Sequence, residues 1–377
     1  MTGDTSSWQR RDLLVRAVPT LGRWRDPWDA LTLQTHLPSP FLRSWWLEHT
    51  AQASPCFLLV FDGDELIGGM ALEQDEVLNI PRFRVLGHGY LVPDHLDAVV
   101  SHDRHEAAID ALAAWCRRPG SRMFDLEGLV PGSNFLEILP GPLVVQQIER
   151  CHYLRLPEDP DLVVAHMSGT ERSSVKRGRK KLARSGVRYR RIPLAETELA
   201  LGRLRELHDR RWGAASGFLD LFEPFAAAAR EGIARDEVRL HELAIAERVV
   251  GILVDFHLAG RAFTFQDGRD PDPSLPSVGN VLQAHAMEDA CRSGTVEYDF
   301  LRGSQPYKRG FTDRSRPVMR VRAANGADAA ATLGLTAARE YAGELKGRSR
   351  RALAARADQT SATLRSMRDR VSTKPTT

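Results

Sequence analysis

Apolar residues run together over Cys56–Phe61 and again over Leu66–Leu72, with the polar tetrad Asp62-Gly63-Asp64-Glu65 between them. The pattern predicts strand, tight turn and strand, because Asp-Gly accommodates the positive φ angles of a hairpin. The same order returns at Leu243–Ala246, Glu247-Arg248 and Val249–Phe256, and Gly251 stands just inside its second strand, as Gly68 does in the first pair. A helical stretch follows each hairpin: Glu106–Arg118 with Pro119-Gly120 as its stop, and Asn280–Arg292 with Gly294 as its stop. A strand follows each helix, Met123–Gly128 and Val296–Gly303, both aromatic-Asp-apolar and both closed by glycine. Three matches in one order predict two mixed α/β domains of the same fold, about 13–153 and 187–323. The expected division is 1–155, a basic linker or helix over 156–190, 191–323, and an Ala- and Arg-rich helical extension over 324–377.

Composition narrows the class. The chain of 377 residues is 42% hydrophobic, 27% charged and 7% aromatic, which excludes disordered, collagenous and membrane-spanning classes. Its longest apolar runs, such as Cys56–Phe61 and Val249–Val254, are far shorter than a bilayer span, and Met1–Arg11 lacks the apolar core of a secretory signal, so a cytoplasmic location is expected. Four scattered cysteines with no Cys-x-x-Cys pair suit reduced thiols, and a metal-free protein is the expectation. The net charge is only +3, yet 170–191 holds ten cations and one acid, so the remainder of the chain is acidic. That cluster reads as a solvated helix face or as a contact for an anionic donor, acceptor or membrane surface. Tyr189 is its only aromatic residue, which weakens a base-stacking role.

Three stretches carry candidate chemistry. Asp255 and His257 alternate onto one strand face with Leu253, and Glu297 and Asp299 onto another with Leu301. Facing a cleft, they are candidates for a general base toward an amine; facing Arg261, Arg302 or Arg320, they are ion pairs. Pro276-Ser277-Val278-Gly279-Asn280 opens a helix after a turn-rich stretch, Asp267–Ser274. Its N–H groups can cradle a pyrophosphate, while Ser277 as a cap and Gly279 as a packing residue is the plainer alternative. In Asp299–Phe311 a strand ends at Gly303 and a proline-set turn presents Tyr307 and Lys308. The tyrosine can protonate a leaving thiolate and the lysine can stabilise an oxyanion, or both can be ordinary packing and surface residues.

Four segments carry a family resemblance: Arg172–Leu182, Leu207–Trp212, Ser277–Leu282 and Asp299–Lys308. Together they resemble the GNAT acyltransferases of the cellulose-biosynthesis (CelD) or BioF-like acetyltransferase family, related to the FemAB peptidyltransferases. The resemblance implies tandem GNAT domains with a degenerate first copy. The second copy would bind acyl-CoA at Ser277, Val278, Gly279 and Asn280, with one glycine where the family at large has several. It makes Lys308, in the context Tyr307-Lys308-Arg309-Gly310-Phe311, the leading catalytic residue, and puts Arg302, Arg177 and Lys180 forward as substrate-binding residues. The activity it implies is acyl transfer from acyl-CoA (acetyl-CoA) by direct attack of an amine, such as an amino sugar of envelope or exopolysaccharide. The base would be Glu297, Asp299, Asp255 or His257, and no metal is called for. An aminoacyl-tRNA donor and a non-catalytic binding scaffold are the competing expectations.

Overall fold

The computed structural model describes residues 7–10, 13–51, 54–88, 91–275, 277–303, 305–340 and 342–343. Its first half carries β1 (Ser7–Arg10), β2 (Leu13–Val18), α1 (Arg25–Thr32), α2 (Ser44–Thr50), β3 (Ser54–Asp62), β4 (Glu65–Val77) and β5 (Ile80–Val85). It continues through β6 (Val99–Val100), α3 (His105–Cys116), β7 (Arg122–Leu129), α4 (Phe135–Ile138) and β8 (Val144–Arg155). The second half runs α5 (Gly169–Arg184), β9 (Val187–Arg191), α6 (Thr197–Trp212), α7 (Phe222–Ala234), β10 (Val238–Ile245) and β11 (Arg248–Leu258). It ends with β12 (Arg261–Arg269), α8 (Val278–Arg292), β13 (Glu297–Arg302), α9 (Pro306–Phe311) and β14 (Ser315–Asn325). A helical run from 327 to 340 follows. The Arg-rich stretch 348–370 lies outside the described residues.

Among the described residues the strands form one sheet, ordered β1-β2-β3-β4-β5-β7-β14-β8-β13-β12-β11-β10-β9, with β6 on β4. Outward from the central β14/β8 pair the order mirrors itself: β7, β5, β4 on one side and β13, β12, β11 on the other. The halves exchange their last strands. β8 pairs with β13 (Glu297 opposite Arg155), and β14 pairs with β7 (Arg322 opposite Asp125). Within each half one pair is parallel and short, β5 with β7 over Arg82–Phe83 and β12 with β13 over Arg261–Phe263, after which the strands part.

The two equivalent glycines have a common physical cause. A Cβ on Gly68 would stand 2.9 Å from Ala108 of α3, and one on Gly251 would stand 3.0 Å from Val278 and 3.1 Å from Leu282 of α8. Each lets its helix settle onto the sheet where any side chain would hold it off. On the opposite face, Trp45 and Trp46 of α2 meet Phe256 and Phe265 in edge contacts at 5.2 to 5.5 Å. The Trp45 indole N–H and Arg43 both donate to Glu237, at 2.5 to 2.9 Å. An aromatic core therefore joins the halves, each fully buried large side chain contributing roughly 1.5–3 kcal/mol. No described helix is long and apolar enough to cross a membrane.

Candidate functional site

A pocket of about 190 Å³ lies beside the parted ends of β12 and β13, at the start of α8. Leu253 of β11 and Asp267 and Arg269 of β12 form one side; Gly279, Asn280 and Gln283 of α8 form the other; Arg211 of α6 and Tyr307 of α9 complete it. Ser277 precedes α8 with φ 63° and gives no side-chain cap. The first-turn N–H groups and the positive helix end are thus left for water or an anionic group. Asn280 is held in place by donating to Glu171 Oε1 of α5 at 2.5 Å. Arg211 and Asp267 stand 3.8 Å apart. Burial, with the Asp267 charge adding to it, pushes the Tyr307 phenol up to about 12, so it stays a proton and hydrogen-bond donor at neutral pH. The volume is below the roughly 300–1,000 Å³ of a site enclosing a drug-sized ligand, so the pocket suits the reacting end of a larger carrier. A more open groove of about 610 Å³ in the first half, beside Phe83 and Trp115, is lined by no carboxylate or histidine.

Gly279, Asn280 and Tyr307 thus meet in one pocket, as residues from two distant segments. Val278 does not join them, being buried against Gly251. Lys308 turns inward: its ammonium donates to the carbonyls of Leu301 at 3.2 Å and Arg302 at 2.6 Å, and burial lowers its pKa. It ties down the end of β13, where Leu301 adopts φ 55°, instead of lining the pocket. Arg302 is spent on Asp94 at 2.5 Å and Glu127 at 2.5 Å. Arg177 and Lys180 are exposed on α5 and do not line the pocket.

The four candidate bases part company across the sheet. Glu297 and Asp299 share the face opposite α8. Glu297 is buried against Arg316, Arg155 and Arg261, and is the ion-pair partner of Arg261 that the sequence offered as an alternative. Asp299 accepts from the Leu301 N–H at 2.7 Å and from His95 at 3.1 Å. Burial works to raise its pKa, but His95 and Arg316 outweigh it and hold the carboxyl below its ordinary value. Asp255 and His257 lie under α8 with Tyr298, whose hydroxyl donates to Asp255 at 2.6 Å. None of the four candidate bases lines the pocket; they lie as two separate buried pairs on opposite faces of the sheet.

Four lining residues escaped sequence reasoning. Asp267 and Arg269 were placed in a turn-rich stretch, but both belong to β12. Gln283 lies one helical turn beyond Gly279 and shares its face, a signal present in the helical period. Arg211 lies within the resembling segment Leu207–Trp212 and had no chemical signature of its own.

Residues 170–309 match the family model described as an acetyltransferase (GNAT) domain. The solved structure of FemX has a TM-score of 0.55 at 11% identity, covering 79% of this chain and 95% of its own. The C-terminal domain of a putative lysylphosphatidylglycerol synthetase from Agrobacterium fabrum has a TM-score of 0.56 at 11% identity, covering 83% and 96%. L-PGS from Bacillus licheniformis has 0.51 at 10%, covering 77% and 95%. No curated protein matches the chain by sequence. The fold is thus a mixed α/β fold of the GNAT type.

Proposed function

We propose that the protein transfers an acyl group from an acyl-CoA thioester, acetyl-CoA or a longer one, to an amine in the pocket between α8 and β12. The observation that carries this reading is the convergence of Gly279, Asn280, Tyr307 and Asp267 on one cavity at an uncapped helix start. The helix end receives the donor's phosphate-bearing portion, and the small cavity holds the thioester. The amine nitrogen bonds to the acyl carbon, the C–S bond breaks, and the sulfur leaves as thiolate with the Tyr307 hydroxyl donating to it. Asp267, the carboxylate facing the pocket, takes the proton the amine loses. Lys308 acts as a positioning residue for the β13 end. The acceptor class, in line with the cellulose-biosynthesis-type resemblance, is an amino sugar of cell-surface polysaccharide, and the reaction takes place in the cytoplasm.

A second reading, with aminoacyl-tRNA as donor, is favoured by one observation. Lys176, Arg177, Lys180, Lys181 and Arg184 are exposed on α5, the helix whose Glu171 holds Asn280. Calorimetric titration with acetyl-CoA and a longer acyl-CoA at two salt concentrations tests both, coupled to thiol release in the presence of amino-sugar acceptors. One site per chain, persisting at higher salt, with turnover lost in Asp267→Asn, is the expected result. Absence of heat with every acyl-CoA, together with salt-sensitive binding of charged tRNA weakened by Arg177→Ala/Lys180→Ala, selects the second reading. No binding of either donor leaves a non-catalytic scaffold.

A further inference from the structure

We propose that His241, Asp255 and His257 form a binding site for a divalent transition-metal ion of the zinc type, buried beneath α8. His241 lies on β10, and Asp255 and His257 lie two residues apart on β11, so alternation turns all three to one face of the sheet. A ligating atom from each lies within 4.8 Å of the others, and all three side chains are buried. His241 Nε2, Asp255 Oδ1 and His257 Nε2 are each enclosed without a hydrogen-bond partner. His241 Nε2 stands 3.5 Å from Asp255 Oδ2, and three buried side chains that each keep an unpartnered polar atom this close together favour an occupant, because a buried polar group without a partner is strongly disfavoured.

The surroundings are those of ligands already aimed. Tyr189 Oη engages His241 Nδ1 at 2.9 Å, which orients the ring so that Nε2 faces the cluster. Tyr298 Oη donates to Asp255 Oδ2 at 2.6 Å, leaving Oδ1 free. Partners on the outward atom of each ligand are how metal sites fix ring orientation and donor strength. The Arg239 guanidinium lies close enough to His257 to act on it electrostatically. Arg239 also repels a dication, and the affinity expected is therefore micromolar. Two imidazoles and one carboxylate suit zinc, whose ligand atoms at about 2.0–2.2 Å stand roughly 3.3 Å apart in a tetrahedron; small side-chain rotations close the cluster to that size.

The other grouping of this kind, His95, Cys151 and Asp299, differs in the decisive respect. Both Asp299 oxygens there are already taken, by His95 and by the Leu301 N–H. The proposed site also reaches the pocket: Gln283 Nε2, on the pocket wall, donates to Tyr298 Oη at 2.6 Å, and Tyr298 to Asp255. The inference stands on the cluster itself and does not depend on the acyl-transfer reading.

The test titrates chelator-stripped full-length protein with zinc chloride in a calorimeter. One zinc per chain at micromolar affinity is expected, weakened at least tenfold in His241→Ala and in His257→Gln, and about 10- to 100-fold in Tyr298→Phe. Circular dichroism establishes that each variant is folded. Should the histidine variants fail to fold, cobalt chloride added to the stripped wild type decides: intense tetrahedral Co(II) absorption bands are expected. Zinc binding that persists in the folded histidine variants, no zinc bound by wild type, or only weak octahedral cobalt bands would overturn the proposal and assign the cluster to internal water.

Discussion

The two places where parallel strands part have opposite fates. In the first half, β5 and β7 separate after Phe83 and Phe124, and the chain itself fills the opening. The Leu96 N–H donates to the Gly128 carbonyl at 2.9 Å, Leu96 bridges to Leu129, and Val99 and Val100 pair with Gly69 and Gly68 of β4. In the second half, β12 and β13 separate after Phe263 and Asp299, and beside that opening lies the 190 Å³ pocket with the start of α8 at its edge. One fold thus has two outcomes: a strand gap closed by its own backbone is a structural joint, and one left open leaves a cavity, the place the proposed reaction uses.

The closed gap is also a clamp between the halves. Asp94 takes the Arg302 backbone N–H at 2.8 Å and its Nε at 2.5 Å, and His95 meets Asp299 at 3.1 Å. Breaking this clamp is the largest expected effect. Asp94→Ala leaves Arg302 partly uncompensated in the interior and should lower unfolding free energy by about 3–5 kcal/mol, read by denaturant titration. An unchanged midpoint would mean that the filled gap does not hold the halves together.

In the open gap, Tyr307→Phe should reduce kcat about 100-fold with KM nearly unchanged, since in the proposed reaction the hydroxyl acts on the leaving group rather than on binding. Steady-state thiol release measures it, and a KM-only effect would remove Tyr307 from the chemistry.

The two gaps should also differ in pH response. Burial pushes the Asp97 carboxyl of the filled gap up to about 7, against hydrogen bonds from Ser133 and from the N–H groups of Ala98 and Asn134. The folded state therefore keeps a proton that the unfolded chain releases. This contribution to stability is full below about pH 4 and is lost as pH rises toward 7, by up to about 1.4 kcal/mol per pH unit. Unfolding curves across that range should show the slope in wild type and a flatter one in Asp97→Asn.

The smallest expected effect comes from making the open gap resemble the closed one. The nearest atom to a Cβ on Gly279 is Arg269 Cδ at 3.6 Å, so Gly279→Leu is accommodated and projects into the pocket. Acyl-CoA binding should weaken about tenfold or more, while stability stays within about 1 kcal/mol. Calorimetry and a thermal melt together separate the two.

Much of the architecture was legible in local pattern. Gly68 and Gly251 marked equivalent points of two hairpins because each must admit a helix at close range, and the hairpin-helix-strand order followed from alternation and helical stops. Gly279, Asn280 and Tyr307 were legible for a similar reason, since helix starts and strand ends are where backbone groups and side chains become available. Lys308, Asp255, His257, Glu297 and Asp299 stand away from the pocket, which the sequence could not tell because alternation shows which residues share a face, not what covers it. Glu297 finds Arg316 and Arg155, and Asp299 finds His95, only through β8, β14 and the 91–98 segment packing beside them.

The local units follow from neighbouring residues alone: two repeats of strands and helices, the glycines that let helices approach, the basic run on α5, and the helix start and strand end that supply Gly279, Asn280 and Tyr307 to the pocket. Tertiary structure alone decided the exchange of β8 and β14, the filling of one gap and the opening of the other, the inward turn of Lys308, and the meeting of His241 with Asp255 and His257. The reason is physical. Periodicity and turn chemistry act over a few neighbouring residues, whereas partners separated by 14 to 204 positions, such as His241 and Asp255 or His95 and Asp299, meet only when the whole chain packs, and burial and charge at such meetings then set what each side chain can do.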